Sequence, residues 1–407
     1  RMSQTHPITD TLFLWYLGEP KRPVLVGELN LVLSGRGVSL RYAPDWLHHG
    51  FPLSEDLPLI DIEHIPREKD VAAGAVDDAR PDRWGERVIR LIDHPPRLSL
   101  LEFLFYAGHN RFGALGVSVS GDSYLPREFS ALPELADVDE LHQLVRQVLA
   151  GKPIDEARQR LIAPGATMGG ARPKALLKLD GAEWVLKFAE ADHADEPLLE
   201  HATMTLAEKA GIRVAETRLI RLAHGVAVAV RRFDRSADGQ GRIHAISANV
   251  ALKAAGVEPS YPNLAQLLRR RGVADNDTHR QQMRELFRRL VFNILIDNTD
   301  DHEKNHALLL TDAQHYVLSP AFDVLPTGLG LGYQAMGVGR DGATSSIDNA
   351  LSMHVSYGMT RRDAVEEAQR VTQVVAGWQA HFAAAGVNKN SLRRLAETID
   401  RGGINRP

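Results

Sequence analysis

Asp297-Asn298-Thr299-Asp300-Asp301-His302-Glu303-Lys304-Asn305-His306 sets three aspartates, two asparagines, two histidines, a glutamate and a lysine into ten residues. Just before it, Met283, Leu286, Phe287, Leu290, Val291, Ile294 and Leu295 recur at three- and four-residue intervals. That is the stripe of a helix with one buried face. Just after it, Ala307–Leu310 is an apolar run of strand length. A titratable cluster clamped between two core elements is costly to place without a use. The stretch therefore reads as a catalytic loop.

Its internal spacing says which chemistry. Asp300-x-x-x-x-Asn305 has the offset at which a kinase catalytic loop sets its base aspartate and its metal-binding asparagine. The aspartate accepts a hydroxyl proton, and the asparagine oxygen helps hold Mg2+ on phosphates. A second metal carboxylate is expected beyond the following hairpin, where Ser319-Pro320-Ala321-Phe322-Asp323-Val324 supplies Asp323. Asp301 competes with Asp300 for the base role but lacks the offset to Asn305, and with Glu303 it is expected to be solvated. Asp297 and Asn298 are expected to end the helix and build the turn. His302 could ligate a metal, but His302 and His306 lack the helix and partner carboxylate of a zinc-protease site.

Upstream, Pro164-Gly165-Ala166-Thr167-Met168-Gly169-Gly170-Ala171-Arg172-Pro173-Lys174 has the glycines that let backbone N–H groups approach anionic oxygens. Arg172 follows Ala171 where a Walker A loop would have Lys and Ser/Thr, so it is not that motif. Two strands, 175–179 and 184–188, flank an Asp180-Gly181 turn, a hairpin signal. Lys187 lies inside the second strand, on the face of Val185 by alternation. An inward lysine needs a partner, and the position suits nucleotide phosphates. Protection of an edge strand is the competing reading. Glu200, expected to open a helix over 200–210, could pair with it. The valine-rich strand 226–230 leads into Arg231-Arg232-Phe233, and Arg288-Arg289 reads as a solvated helix face.

The remainder frames these pieces. Short strands at 12–17, 24–33 and 38–42, helices near 81–92 and 98–107, and a strand at 115–119 suggest a small α/β module over 1–125. A second segment, 126–244, would be a β-rich lobe, and 245–407 a mostly helical lobe, with helices at 263–271, 279–298, 361–385 and 391–400. The expected class is therefore α+β and two-lobed. Lys and Arg number 48 against 52 for Asp and Glu, a balance that gives no global footprint for nucleic acid. There are no cysteines, which excludes disulfides, zinc–thiolate sites and cysteine nucleophiles. No apolar run reaches the ~20 residues of a membrane span. Residues 1–4 carry no signal-peptide core, so the expectation is a cytoplasmic protein away from membranes.

Taken together, 167–174, Val185-Leu186-Lys187-Phe188, Arg232-Phe233-Asp234-Arg235, 298–305 and Phe322-Asp323-Val324 resemble the HipA-type serine/threonine kinase toxins. Val26-Gly27-Glu28-Leu29, Phe51-Pro52-Leu53-Ser54 and Pro81-Asp82-Arg83-Trp84-Gly85 are similar to that family's N-terminal module. The resemblance implies a two-lobed kinase-like fold, ATP and Mg2+, and a toxin–antitoxin setting. By position it implies Asp300 as base and Asn305 and Asp323 as Mg2+ ligands. Lys187 would contact phosphate with Glu200 as its ion-pair partner, and Gly169, Gly170, Ala171, Arg172 and Lys174 would cover the nucleotide. Arg231 and Phe233 would line the adenine site, and His302 and Lys304 join Asn305 in the nucleotide-binding set. Relatives autophosphorylate a serine in the glycine loop, where Thr167 stands here. The resemblance further implies a HipB-like DNA-binding antitoxin, DNA reached only through it, and a translation component such as an aminoacyl-tRNA synthetase as substrate. A small-molecule or lipid kinase on the same fold, or an inactive nucleotide-binding regulator, are the alternatives.

Overall fold

The computed structural model describes residues 8–127, 131–159, 161–165, 170–190 and 193–400. Two compact units emerge, Arg1–Val185 with Asp234–Ile246, and Leu186–Phe233 with Ser247–Pro407. This grouping by contact differs from the three consecutive segments drawn from composition.

In the first unit, β1 (Thr11–Tyr16), β2 (Val24–Val32) and β3 (Gly37–Tyr42) form an antiparallel meander. Its register sets Leu12 opposite Leu29 and Leu29 opposite Leu40, so three buried leucines run across the sheet. α1 (Pro44–His49) follows, then β4 (Glu63–His64) antiparallel and β5 (Val71–Ala72) parallel to β3. α2 (Arg83–Ile92) is capped by Asp82, whose side chain accepts from the Gly85 N–H. α3 (Leu100–Tyr106) starts at a Ser99/Glu102 capping box. β6 (Leu115–Ser118) returns beside β1, giving the order β4-β3-β2-β1-β6. α4 (Val138–Leu149) buries Leu141, Leu144, Val145 and Val148, the stripe its periodicity predicts. After α5 (Glu156–Gln159) come β7 (Lys174–Leu179) and β8 (Ala182–Lys187). Asp180 and Gly181 turn between them at φ 50° and 78°, the left-handed pair of a tight hairpin.

In the second unit, α6 (Glu196–Lys209) begins four residues before the expected start at Glu200. Pro197, pre-set for a first turn, marks that start. Glu200 thus lies in the second turn and is buried, away from the exposed terminus. β9 (Thr217–Arg221) and β10 (Val226–Arg231) form the second hairpin. β11 (Ala245–Ser247) leads into α7 (Ala248–Ala254), α8 (Tyr261–Arg271) and α9 (Thr278–Leu295). The apolar stripe of α9 is buried as expected. Arg289 corrects the expectation of a solvated face: it is 3% exposed, and it bonds Glu285 one turn away and the Ser319 carbonyl at 2.7 Å. β12 (Ala307–Leu310) and β13 (Tyr316–Leu318) pair antiparallel, and α10 (Ile347–Ser352) follows. The single helix expected over 361–385 is two, α11 (Arg361–Val375) and α12 (Trp378–Ala384). The break falls at Ala376-Gly377, where glycine disfavours a helix interior. α13 (Lys389–Ile399) ends the described chain, and no helix among the described residues is long and apolar enough to cross a membrane.

Candidate active site

The loop begins where α9 stops. Asn298 N–H bonds the Asn293 carbonyl at 2.9 Å and Asp297 N–H bonds the Ile294 carbonyl at 3.4 Å, with Asp297 at φ 57°. This is a Schellman closure with aspartate where glycine is usual. A left-handed aspartate costs about 1 kcal/mol or more, and its acceptors show what offsets that cost. The Asp297 carbonyl accepts the Thr327 N–H at 2.9 Å and its hydroxyl at 2.7 Å, and the carboxylate accepts the Gly330 N–H at 2.9 Å. Thr299 and Thr327 join hydroxyls at 2.7 Å. The turn after α9 is thereby tied to the segment beyond Asp323.

Adjacent aspartates then part company. Asp300 is exposed, whereas Asp301 is 2% exposed. One oxygen of Asp301, Oδ2, accepts from the Tyr261 hydroxyl, from Asn293 Nδ2 at 2.9 Å and from His306 Nε2 at 2.7 Å. Burial, then the Asp301 charge, pushes the Tyr261 pKa well above the usual tyrosine range, so the phenol stays a donor. The expectation of a solvated Asp301 is overturned, because three donors from α8, α9 and the loop's own end draw it inward. Asn305 Nδ2 donates to the Asp300 carbonyl at 3.4 Å, leaving its Oδ1 buried with no partner among the described residues.

Lys187 supplies the opposite charge. Every residue from Trp184 to Phe188 is at most 1% exposed, so the lysine protects no edge. A buried ammonium persists only when paired. Its Nζ donates to Glu200 Oε1 at 2.6 Å and to Asp323 Oδ1 at 2.8 Å. Asp323 reaches it from a left-handed backbone, φ 57°. The preceding Ala321 is fixed by bonds of 2.8 Å to the Arg213 carbonyl and 2.9 Å from the Ala215 N–H. The ammonium thus bridges a helix carboxylate and the carboxylate beyond the hairpin. Among the described residues no three His, Asp or Glu side chains converge as a metal cage. Asn305 Oδ1, buried and without a partner among the described residues, and the Asp323 carboxylate are hard oxygen donors of the kind Mg2+ takes.

The other expected site residues fall variously. His302 is half-buried, its Nδ1 without a partner among the described residues, and Lys304 is exposed. Gly170 and Ala171 are exposed and Arg172 is half-buried. Lys174 departs from the nucleotide-covering expectation: it is 0% exposed, and its ammonium bonds the Asp82 carboxylate and the Gly170 carbonyl, the latter at 2.6 Å. Arg231 is exposed and bonds Glu216 at 3.2 Å, while the Phe233 ring lies 5.2 Å from that of Phe322. Thr167 and Gly169 lie outside the described residues. Sequence reasoning missed the bond from Lys187 to Asp323, the Asp301 cluster and the Asp297 anchor. Only Asp297 left a signal, an acidic residue just past a helix end.

A buried strand lysine joined to a helix glutamate and to an aspartate beyond a hairpin, with an Asp-x4-Asn loop after the core helix, is the layout of a kinase-like catalytic unit. The model of the HipA-like C-terminal domain matches residues 166–378, and that of the HipA N-terminal domain matches 23–118. The chain belongs to the HipA family. It is 24% identical over 325 residues to the Shewanella oneidensis protein named Serine/threonine-protein kinase toxin HipA, covering 71% of this chain and 70% of that one. It is 32% identical over 163 residues to the Sinorhizobium fredii protein named "Putative kinase Y4dM", a match spanning 36% of this chain and 38% of that protein. Among solved structures it is similar to HipA in the Shewanella oneidensis MR-1 complex of HipA, HipB and operator DNA. The TM-score is 0.65 at 18% identity, with 96% of each chain covered. The fold is accordingly the two-lobed, kinase-like α+β fold.

Proposed function

We propose that this chain is a protein serine/threonine kinase that uses ATP with Mg2+ and serves as the toxin of a HipB-like toxin–antitoxin pair. The observation that carries the reading is the buried Lys187 held between Glu200 and Asp323. Magnesium-bound ATP, when present, supplies the transferable phosphoryl group. Lys187, oriented by Glu200, would draw phosphate oxygens toward β8. Asn305 Oδ1 and Asp323 would hold the metal, and the exposed Asp300 carboxylate would accept the proton of the attacking hydroxyl. Asp301, 2% exposed and held by three donors, would not be the base.

The name of the Shewanella oneidensis relative supports serine or threonine as acceptor, and the HipB–operator complex supports a small DNA-binding antitoxin. The net charge of -4 suits a toxin that meets DNA only through that partner, in the cytoplasm. The family resemblance points to a translation component such as an aminoacyl-tRNA synthetase as substrate, and to Thr167 as a self-phosphorylated residue. Labelled ATP offered with candidate proteins, with metabolite pools and with lipids tests the acceptor class. Label on proteins, with Thr167 gaining phosphate by mass spectrometry, is expected. Label confined to a metabolite or lipid would reassign the substrate, and an ATP-dependent thermal shift without turnover would make the chain a nucleotide-binding regulator.

A further inference from the structure

From Gly165 to Lys174 the chain carries one long aliphatic side chain, Met168, and the described residues on either side show what holds the flanks. Both flanks are held within the first unit. On the leading side Ile162, Ala163, Pro164 and Gly165 are all buried. A Cβ added to Gly85, in the first turn of α2, would lie 2.1 Å from the Pro164 carbonyl oxygen. A Cβ added to Gly165 would lie 2.6 Å from the Ala107 carbonyl oxygen, just past α3. Both glycines are there because backbone meets backbone. On the trailing side Trp84 Nε1 donates to the Lys174 carbonyl at 2.8 Å. The Lys174 ammonium, wholly buried, is shared between Asp82 and the Gly170 carbonyl.

We infer that Asp82 and Trp84 of the N-terminal module are positioning residues for the nucleotide-covering loop, acting through Lys174 on Gly170. Asp82 performs two tasks with its two oxygens: Oδ1 caps α2 through the Gly85 N–H at 2.8 Å, and Oδ2 takes the Lys174 ammonium. The helix start and the loop's exit strand are therefore fixed by one side chain. Lys174 then donates to the carbonyl of Gly170, whose backbone is left-handed at φ 52°. This gives the module a part in nucleotide affinity through the loop whose flanks it holds. The inference rests on the kinase reading for its consequence, but not for the anchoring itself.

The test compares the full-length protein with Asp82→Asn, Trp84→Phe, Lys174→Met and the double variant Asp82→Asn with Lys174→Met. Asparagine still caps a helix, so Asp82→Asn removes the counter-charge and spares α2. Two readouts are taken: hydrogen–deuterium exchange of the peptides over 161–175, with 182–187 as internal control, and KM for ATP beside kcat. The expected result is roughly tenfold faster exchange at 170–174 in Asp82→Asn and Trp84→Phe, the loss of about one protecting interaction. KM for ATP should rise several-fold with kcat little changed. The double variant, which buries no unpaired charge, should regain its melting temperature yet keep the raised KM. Recovery of KM together with melting temperature would reduce the pair to a structural role and overturn the inference. So would unchanged exchange at 170–174. If the wild type turns over no ATP, the kinase reading fails on its own, and the exchange result still decides whether Asp82 and Trp84 anchor the loop.

Discussion

Replacing Asp301 by alanine should destabilise the protein severely, although the residue lies in a loop beside an exposed neighbour. Its carboxylate is 2% exposed and accepts from Tyr261, Asn293 and His306. Alanine leaves three buried donors around a void, and an unsatisfied buried donor costs about 1–3 kcal/mol. Some of the donors can re-pair, since the Tyr261 hydroxyl and Asn293 Nδ2 already stand 3.3 Å apart. A net loss of about 3–5 kcal/mol, the range for breaking a buried charged cluster, is expected. That corresponds to roughly 6–20 °C in unfolding midpoint for a unit of some 200 residues. Asparagine keeps the shape and one acceptor oxygen and loses the charge, so Asp301→Asn should lose about half as much. Thermal and urea unfolding of the two variants against wild type measures both. An Asp301→Ala protein within about 0.5 kcal/mol of wild type, the scatter of ordinary surface changes, would refute the reasoning.

Lys187→Met should cost about 3–5 kcal/mol, because Glu200 and Asp323 would face each other without their shared ammonium. Lys187→Met with Glu200→Gln should recover part of that loss in the same unfolding assay. Asp323→Ala should weaken ATP binding in the presence of Mg2+ by tenfold or more, read by titration calorimetry, and unchanged affinity would contradict its assignment. His109 adds a pH dependence: burial, then Arg242, Arg235 and Arg111, lower its pKa from 6.5 to about 4. Between those values the unfolded chain takes up the proton and the folded chain does not, so stability falls as pH falls from 6.5 toward 4. The contribution is about 3 kcal/mol, and it should be missing from His109→Gln. Unfolding curves of the two proteins should therefore converge as the pH is lowered, and curves that stay parallel would contradict the prediction.

Local pattern and distant pairing explain what could be read from the sequence. The stripe of α9 and the Asp180-Gly181 hairpin are properties of a few consecutive residues, so periodicity and turn chemistry revealed them. Lys187 stood out as a charge inside an apolar strand, and Glu200, thirteen residues on, was a natural partner. Its second partner, Asp323, lies 136 residues away, and no spacing rule reaches that far. Asp300 and Asp301 are adjacent and identical in chemistry, yet one is exposed and the other buried. A loop has no period, so only Tyr261, Asn293 and His306 distinguish them. Arg289 misled for a related reason, since an arginine on a helix reads as solvated until its Glu285 and Ser319 partners are known. The early start of α6 was legible at Pro197, and the break between α11 and α12 at Gly377, both weak signals outweighed by the surrounding helical pattern.

The central claim is that Asp300 is the base of a phosphoryl transfer carried out around Lys187, Asn305 and Asp323. Its most direct test is the rate of phosphate transfer from Mg-ATP to a protein hydroxyl, measured on wild type and on Asp300→Asn with both melting temperatures recorded. Asp300 is exposed, so the variant should melt within about 2 °C of wild type, as surface substitutions do. Transfer should fall by at least ~10²-fold, the contribution of a positioned base. An Asp300→Asn protein that folds and transfers phosphate at the wild-type rate would contradict the account.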